Sequence, residues 1–360
     1  MKKFVWFLTL MLAFALVLSA CGAPAPATQP PATEAPAEPT EAPTTEEATE
    51  APAATEAPAG EAFRVAVVMP SAINDLAFSQ SMYDALVRVQ EEMGAENFEF
   101  VYSEGMFNVD DAAAAIRDYA SQGYNLVIAH GSQYGSSLQE IAPDFPETSF
   151  AWGTTVDTFG QPNIFAYEAR SEQGGFVNGV MAATLSQSNI IGVVGPIETG
   201  DAKLYVDGFK AGATSVKPDA EVNVNYIGSF SDVALASEAA TTHISAGADV
   251  LTGTAQMVVG AIGKAEENDV LWFGTQSNQA SLAPSIVVAS QVYHWEGILN
   301  EMITLIKSGT LGGQSFEATL ENGGEVIEFN PESTVFADAE ALAEETIQGI
   351  IDGSITIPLP

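Results

Sequence analysis

From residue 63 to about residue 276 the chain alternates short unbroken apolar runs with longer stretches whose apolar positions recur every three or four residues. The first run, Phe63-Arg64-Val65-Ala66-Val67-Val68-Met69, is closed by Pro70, and Phe78, Met82, Leu86 and Val89 then share one helical face. A short apolar run rich in β-branched residues is a strand buried on both sides, and the spacing after it is that of an amphipathic helix. The same reading predicts strands near Phe98–Tyr102, Leu126–Ala129, Thr148–Trp152 and Ile164–Tyr167, with helices near Asp110–Ser121 and Tyr134–Ala142. It then restarts, with strands near Ile190–Val194, Val222–Ile227, Val250–Thr252 and Val270–Phe273 and helices near Glu172–Ser186, Ala202–Val216, Val233–Ala246 and Val258–Asn268. Past Ile286 the pattern predicts a strand Ile286–Ala289, a helix Trp295–Ser308, a hairpin around Glu321–Phe329 and a helix Ala337–Ile350.

Two successive strand–helix series predict an α/β protein of two doubly wound parallel-sheet lobes joined by a hinge. The expected division is 63–166 with about 277–308 for lobe I, and 167–276 with about 309–360 for lobe II. In such sheets a ligand lies outside the carboxyl ends of the strands, so two facing sheets enclose a ligand between them. Each strand-to-helix loop is then a candidate wall of one cleft.

Residues before the first strand have another character. Met1-Lys2-Lys3 carries positive charge and runs into the apolar stretch Phe4–Leu18, which reads as an export signal and is too short for the ~20 residues of a bilayer span. Leu18-Ser19-Ala20-Cys21-Gly22 resembles a bacterial lipobox, in which the cysteine is lipidated and becomes the first residue after cleavage of residues 1–20. Cys21 is the single cysteine of the chain, so the fold holds no intramolecular disulfide. Residues 21–62 are nearly all Ala, Pro, Thr and Glu, repeating Thr-Glu-Ala-Pro at Thr33–Pro36, Thr40–Pro43, Thr49–Pro52 and Thr55–Pro58. That composition cannot bury enough surface to offset its ordering entropy and predicts a disordered tether, reaching ~35 Å as a coil and ~120 Å if extended by its prolines. The expected location is the outer face of the bacterial cytoplasmic membrane, held by a lipid anchor.

A formal net charge of −36, with 11 lysines and arginines against 47 carboxylates, argues against nucleic acid as a partner. The three histidines, His130, His243 and His294, lie far apart and have no metal-ligand spacing, and no nucleophile–base pair is evident. Neither a metal, nor a cofactor, nor catalysis is expected. Gly195-Pro196-Ile197-Glu198-Thr199-Gly200-Asp201 superficially suggests a phosphate loop, but Asp201 stands where a lysine is required. It reads as a turn in the cleft wall of lobe II.

The loops carry the candidate chemistry. After the first strand stands Asn74-Asp75-Leu76-Ala77-Phe78-Ser79-Gln80, and the matching loop of the second half is Gly228-Ser229-Phe230-Ser231-Asp232. Each offers an aromatic close to a carboxylate at a helix start. Helix capping accounts for the carboxylates as readily as ligand binding does, and core packing accounts for the aromatics. Two aromatics across a cleft would sandwich a flat ring. Further polar or aromatic groups come from His130-Gly131-Ser132-Gln133-Tyr134, Trp152-Gly153-Thr154-Thr155 and Gly253-Thr254-Ala255-Gln256-Met257, where His130 and Trp152 read equally well as core.

Ile73-Asn74-Asp75-x-x-Phe78-Ser79-Gln80, Glu172-Gln173-Gly174-Gly175-Phe176-Val177-Asn178-Gly179, Gly208-Phe209-Lys210-Ala211-Gly212, Gly228-Ser229-Phe230-x-Asp232 and Gly247-Ala248-Asp249-Val250 occur in this order. Together they resemble the basic membrane protein (BMP) family, from about Phe63 to the last helix. The resemblance implies the type I periplasmic-binding-protein fold, a monomer serving an ABC permease with its ATPase, and a purine nucleoside as ligand. It also implies that Phe78 and Phe230 stack on the base and that Asp75 lies at the ligand. The chain departs from the family at Asn74 and Ser79, at Thr275-Gln276-Ser277-Asn278-Gln279 where members carry Val-Asp-x-Asp-Gln, and at Tyr293 where members carry a lysine. An amide accepts at one end and donates at the other, whereas a carboxylate only accepts, so Gln276 and Asn278 leave another polar ligand, a sugar or a nucleobase, open. Candidate ligand contacts are therefore Asn74, Asp75, Phe78, Gln80, Gly131, Trp152, Phe230, Asp232, Gln256, Gln276, Asn278 and Tyr293. A binding subunit of an importer and an extracellular sensor on the same fold both fit this pattern.

Overall fold

A computed structural model describes residues 61–360 except position 334. The export signal, Cys21 and all but the last two residues of the expected tether lie outside the described residues.

Strands β1 (Phe63–Val68), β2 (Phe98–Ser103), β3 (Leu126–His130), β4 (Ser149–Gly153) and β5 (Ile164–Ala169) alternate with helices α1 (Phe78–Met93), α2 (Val109–Ser121) and α3 (Gly135–Ile141). The period of two along β1 explains why the sheet is covered on both faces. Val65 and Val67 pack with Leu86 and Val89 of α1, while Ala66 and Val68 pack with Ile116 and Leu138 from α2 and α3. Asn108 starts α2 by accepting from the Asp110 amide at 2.9 Å, with Asp110 and Asp111 placed favourably in the first turn.

The second series runs α4 (Glu172–Leu185), β6 (Ile190–Gly195), α5 (Gly200–Val216), β7 (Glu221–Tyr226), α6 (Val233–Ser245), β8 (Val250–Gly253), α7 (Val258–Glu267) and β9 (Leu271–Gln276). β10 (Val287–Tyr293), α8 (Glu296–Lys307), β11 (Ser315–Ala318), β12 (Glu325–Phe329) and α9 (Phe336–Ile351) complete the chain. The strands form two six-stranded sheets, β11-β5-β4-β3-β1-β2 and β12-β10-β9-β8-β6-β7. The pairs are parallel except for β12, which runs antiparallel to β10 at the edge of the second sheet.

The last part of the chain departs from expectation. β10 pairs with β9, so residues 287–293 join the second sheet rather than lobe I, and β11 pairs with β5, so residues 315–318 join the first sheet rather than lobe II. No hairpin forms around Glu321–Phe329, because β11 and β12 lie in different sheets. The chain crosses between lobes three times, after β5, after β10 and after β11.

α4 and α5 pack backbone to backbone. A Cβ on Gly179 would collide with the carbonyl of Phe209, and one on Gly212 with the carbonyl of Phe176. The glycine-rich blocks of the sequence thus serve helix packing. Asp249 likewise serves structure: its carboxylate accepts from Ser186 Oγ at 2.6 Å and from the amides of Gln187 and Ser188 at 2.7 Å. Partial burial opposes its ionisation, but these bonds prevail and hold its pKa below the ordinary value.

Candidate functional site

The carboxyl ends of eight strands converge on one cavity of about 410 Å³, a volume that includes its solvent-open mouth. From the first sheet, Pro70 and Phe78 follow β1, Phe107 follows β2, Gly131, Ser132 and Gln133 follow β3, and Thr154 follows β4. From the second, Asp201 and Ala202 follow β6, Phe230 follows β7, Ala255 and Gln256 follow β8, and Gln276 ends β9. The cavity lies where two doubly wound sheets must place one.

Phe78 is buried and lies flat on His130, with ring centroids 3.8 Å apart and planes 7° from parallel. His130 is held by two bonds, Nε2 to the Phe78 carbonyl at 3.0 Å and Nδ1 to the Tyr167 hydroxyl at 2.7 Å. A carbonyl only accepts, so Nε2 carries the proton and Nδ1 accepts from Tyr167. Full burial lowers the pKa of His130 to about 3, against the smaller effect of its bond to Phe78, so the ring is neutral. Its role is to back Phe78, not to meet ligand.

Asp75 accepts from the amides of Ala77, Ser79 and Gln80 at 2.9, 3.2 and 3.1 Å, capping α1 and setting the position of Phe78. Burial raises its pKa and these bonds oppose the rise. Gln80 supports the same turn by accepting from the Leu76 amide at 2.9 Å, and Asn74 is exposed. Asp232 caps α6 through the Leu235 amide at 3.0 Å. Trp152 bonds the Gly131 carbonyl at 3.1 Å and stacks on Phe159 at 4.6 Å, bracing the β3 loop from outside the cavity lining. Asn278 is exposed and turned to Glu328, at 2.7 Å. Tyr293 is buried behind the lining and donates to Asp201 at 3.0 Å. Five of the twelve candidate contacts, Phe78, Gly131, Phe230, Gln256 and Gln276, therefore line the cavity.

Asp201, read from the sequence only as part of a turn, lines the cavity in the first turn of α5. The signal that could have found it was its position after a strand, at the amino end of a helix. Ala255 and Gln276 hold φ of 78° and 70°, and Leu76, in the loop before Phe78, holds 49°. Non-glycine residues in this region cost about 1–3 kcal/mol each and cluster at functional sites. Across the cleft, Ser277 Oγ donates to the Ala77 carbonyl at 2.7 Å and Gln279 Nε2 to the Leu76 carbonyl at 3.2 Å, joining the second sheet to the α1 loop.

Comparison with known proteins agrees with this architecture. The profile of the Bmp family, described as ABC transporter substrate-binding protein PnrA-like, matches residues 62–358. A purine-binding protein of Brucella abortus is 26% identical over 297 residues, covering 82% of this chain and 83% of its own. A protein of Bacillus subtilis named transcriptional activator protein med is 27% identical over 265 residues, covering 73% of this chain and 81% of its own. An ABC transporter solute-binding protein structure from Aeropyrum pernix superposes with a TM-score of 0.71 at 19% identity, over 83% of this chain and 94% of that one, which supports the fold. With a family match along nearly all of its described length and a cavity between two lobes, the chain belongs to the Bmp family of ABC transporter substrate-binding proteins, which bind solutes and are not enzymes.

Proposed function

We propose that this protein captures a purine nucleoside between its lobes and delivers it to an ABC permease, working as a lipid-anchored monomer outside the cytoplasm. The observation that carries the reading is the pair Phe78 and Phe230, which reach one cavity from opposite lobes and offer aromatic surface to a flat ring. Polar acceptors at Gln256, Gln276 and Asp201 suit a ligand with hydroxyl or amino groups. The name of the Brucella relative points the same way, and no helix among the described residues is long and apolar enough to cross a membrane. Lipidation at Cys21, with the tether of residues 21–62 as spacer, would hold the lobes near the permease.

The test is mass spectrometry of small molecules that copurify with the protein, followed by a thermal-shift series of nucleosides, nucleobases and sugars. Stabilisation by a purine nucleoside is expected, as mass action requires of a native-state ligand. A response confined to another class would overturn the nucleoside assignment. Cys21→Ser should move the protein from the membrane to the soluble fraction. A second reading, ligand sensing on the same fold, draws on the Bacillus relative named as an activator. Nucleoside uptake that disappears with the gene and returns with it favours import over sensing.

A further inference from the structure

We infer that the lobe II end of the cleft is a donor-reading subsite, in which Gln276 and Gln256 accept hydrogen bonds from the ligand and Asp201 orients Gln276 and repels anionic groups. The inference rests on the cavity being the ligand site and adds what that site selects.

Gln276 is 3% exposed, and its Nε2 donates to Asp201 Oδ2 at 3.3 Å. A carboxylate oxygen cannot donate, so the amide has one allowed orientation, and Oε1 is the end left over. That Oε1 is buried without a protein partner, and so is Oε1 of Gln256, which lines the same cavity. An unpaired buried acceptor is costly, so two of them on residues lining one cavity mark where ligand donors belong.

Asp201 fixes the sign of this end. It receives the Tyr293 hydroxyl at 3.0 Å and the Gln276 amide on the same oxygen, and it sits at the amino end of the long helix α5, where a negative charge is favoured. Burial raises its pKa, and these donors with the backbone amides of the first turn counter the rise. Neither lysine nor arginine is among the residues lining the cavity. Glu168, pushed up to about 7 first by burial and then by Asp201, also feels this carboxylate. A ligand phosphate entering here would meet a carboxylate and two amide oxygens, with no cation to offset its charge.

The test is calorimetric titration of the full chain in detergent with matched pairs: adenosine and guanosine against their 5′-monophosphates, and ribose against ribose 5-phosphate. The neutral member of whichever pair binds should bind about 100-fold more tightly, in line with a like-charge penalty of several kcal/mol. Asp201→Asn, nearly isosteric, should narrow that ratio about tenfold, since one charge is removed while the shape stays. Gln276→Leu should weaken the neutral ligand about tenfold. That loss should vanish for one of two analogues, the 2′,3′-dideoxy nucleoside or the nucleoside lacking its exocyclic amine, whichever omits the donor Gln276 reads. A phosphate binding as well as its neutral partner, a ratio unchanged in Asp201→Asn, or no binding by any neutral member would each overturn the inference. If ribose binds and nucleosides do not, the nucleoside reading fails while the subsite stands. Melting temperatures of the ligand-free variants identify any loss that comes from misfolding.

Discussion

Phe78 lies ring on ring with His130, 3.8 Å between centroids, and its own backbone carbonyl accepts the His130 Nε2 proton. One residue thus supplies a cavity wall through one face of its side chain, a packing partner through the other, and the acceptor that fixes the tautomer behind it. The imidazole orients Phe78 twice, through the ring and through the backbone.

Phe78→Ala should therefore cost both binding and stability. Truncating a buried phenylalanine loses about 3–5 kcal/mol, and the apo protein should melt several degrees lower. Phe230 is only half-buried at its cluster, so Phe230→Ala should weaken the ligand about tenfold with a much smaller change in apo melting temperature. Calorimetry and thermal denaturation of both variants separate the two effects. Affinity unchanged from the wild type in both variants would rule out an aromatic clamp.

Gly179→Ala and Gly212→Ala should each destabilise the second lobe by about 1–3 kcal/mol, because α4 and α5 must part to admit the methyl group. Denaturant unfolding reads the loss. An unchanged midpoint would show that the two helices are not held at backbone contact.

Tyr293→Phe removes the hydroxyl that donates to Asp201 and lies 2.6 Å from Ser171 Oγ. Losing a hydrogen bond to a charged group costs about 1.5–3 kcal/mol, and the weakening should appear in ligand affinity as well as in stability. A loss of stability alone would mean that Tyr293 braces the hinge without shaping the cleft.

Glu325 is fully buried at the start of β12, where it accepts from the Gly174 amide at 2.9 Å and from the Gln291 amide. Burial is the main cause that lifts its pKa to about 8; these two bonds oppose it and neighbouring Glu172 adds to it. The unfolded chain releases this proton near pH 4.5, whereas the folded protein keeps it until about pH 8. Stability from this group is full below pH 4.5 and falls as pH rises through 8, by a few kcal/mol in order of magnitude. Glu325→Gln should match the wild type in acid and exceed it at pH 9, as measured by the difference in melting temperature across pH. A constant difference would show that Glu325 ionises normally.

Seven of the first nine strands were legible because buried parallel strands are written as short apolar runs, as in Val65–Met69 before Pro70, and the edge strands β2 and β7 because they alternate apolar and polar residues. Residues after 286 were not. Val287–Tyr293 is as buried as any strand here, but period and burial do not encode which of two sheets it joins, and Ser315–Ala318 is too short to show a period. In the cleft, position after a strand led to Phe78, Gly131, Phe230, Gln256 and Gln276, which line the cavity. The same rule pointed to Asn74 and Asn278, which turn outward, because a loop's location does not fix its side-chain directions. Asp75, Asp232 and Asp249 show that a carboxylate in a motif can be there for its helix or its turn.

The three passages between lobes bear on how the molecule comes into being. The first sheet borders β11 and the second ends on β12, so both sheets draw an edge from the last part of the chain. A polypeptide emerging amino end first can assemble neither lobe completely until nearly all of it has been delivered. The two halves therefore reach their final form together, and a chain cut short before residue 315 leaves both β5 and β10 with an open side from which aggregation can start.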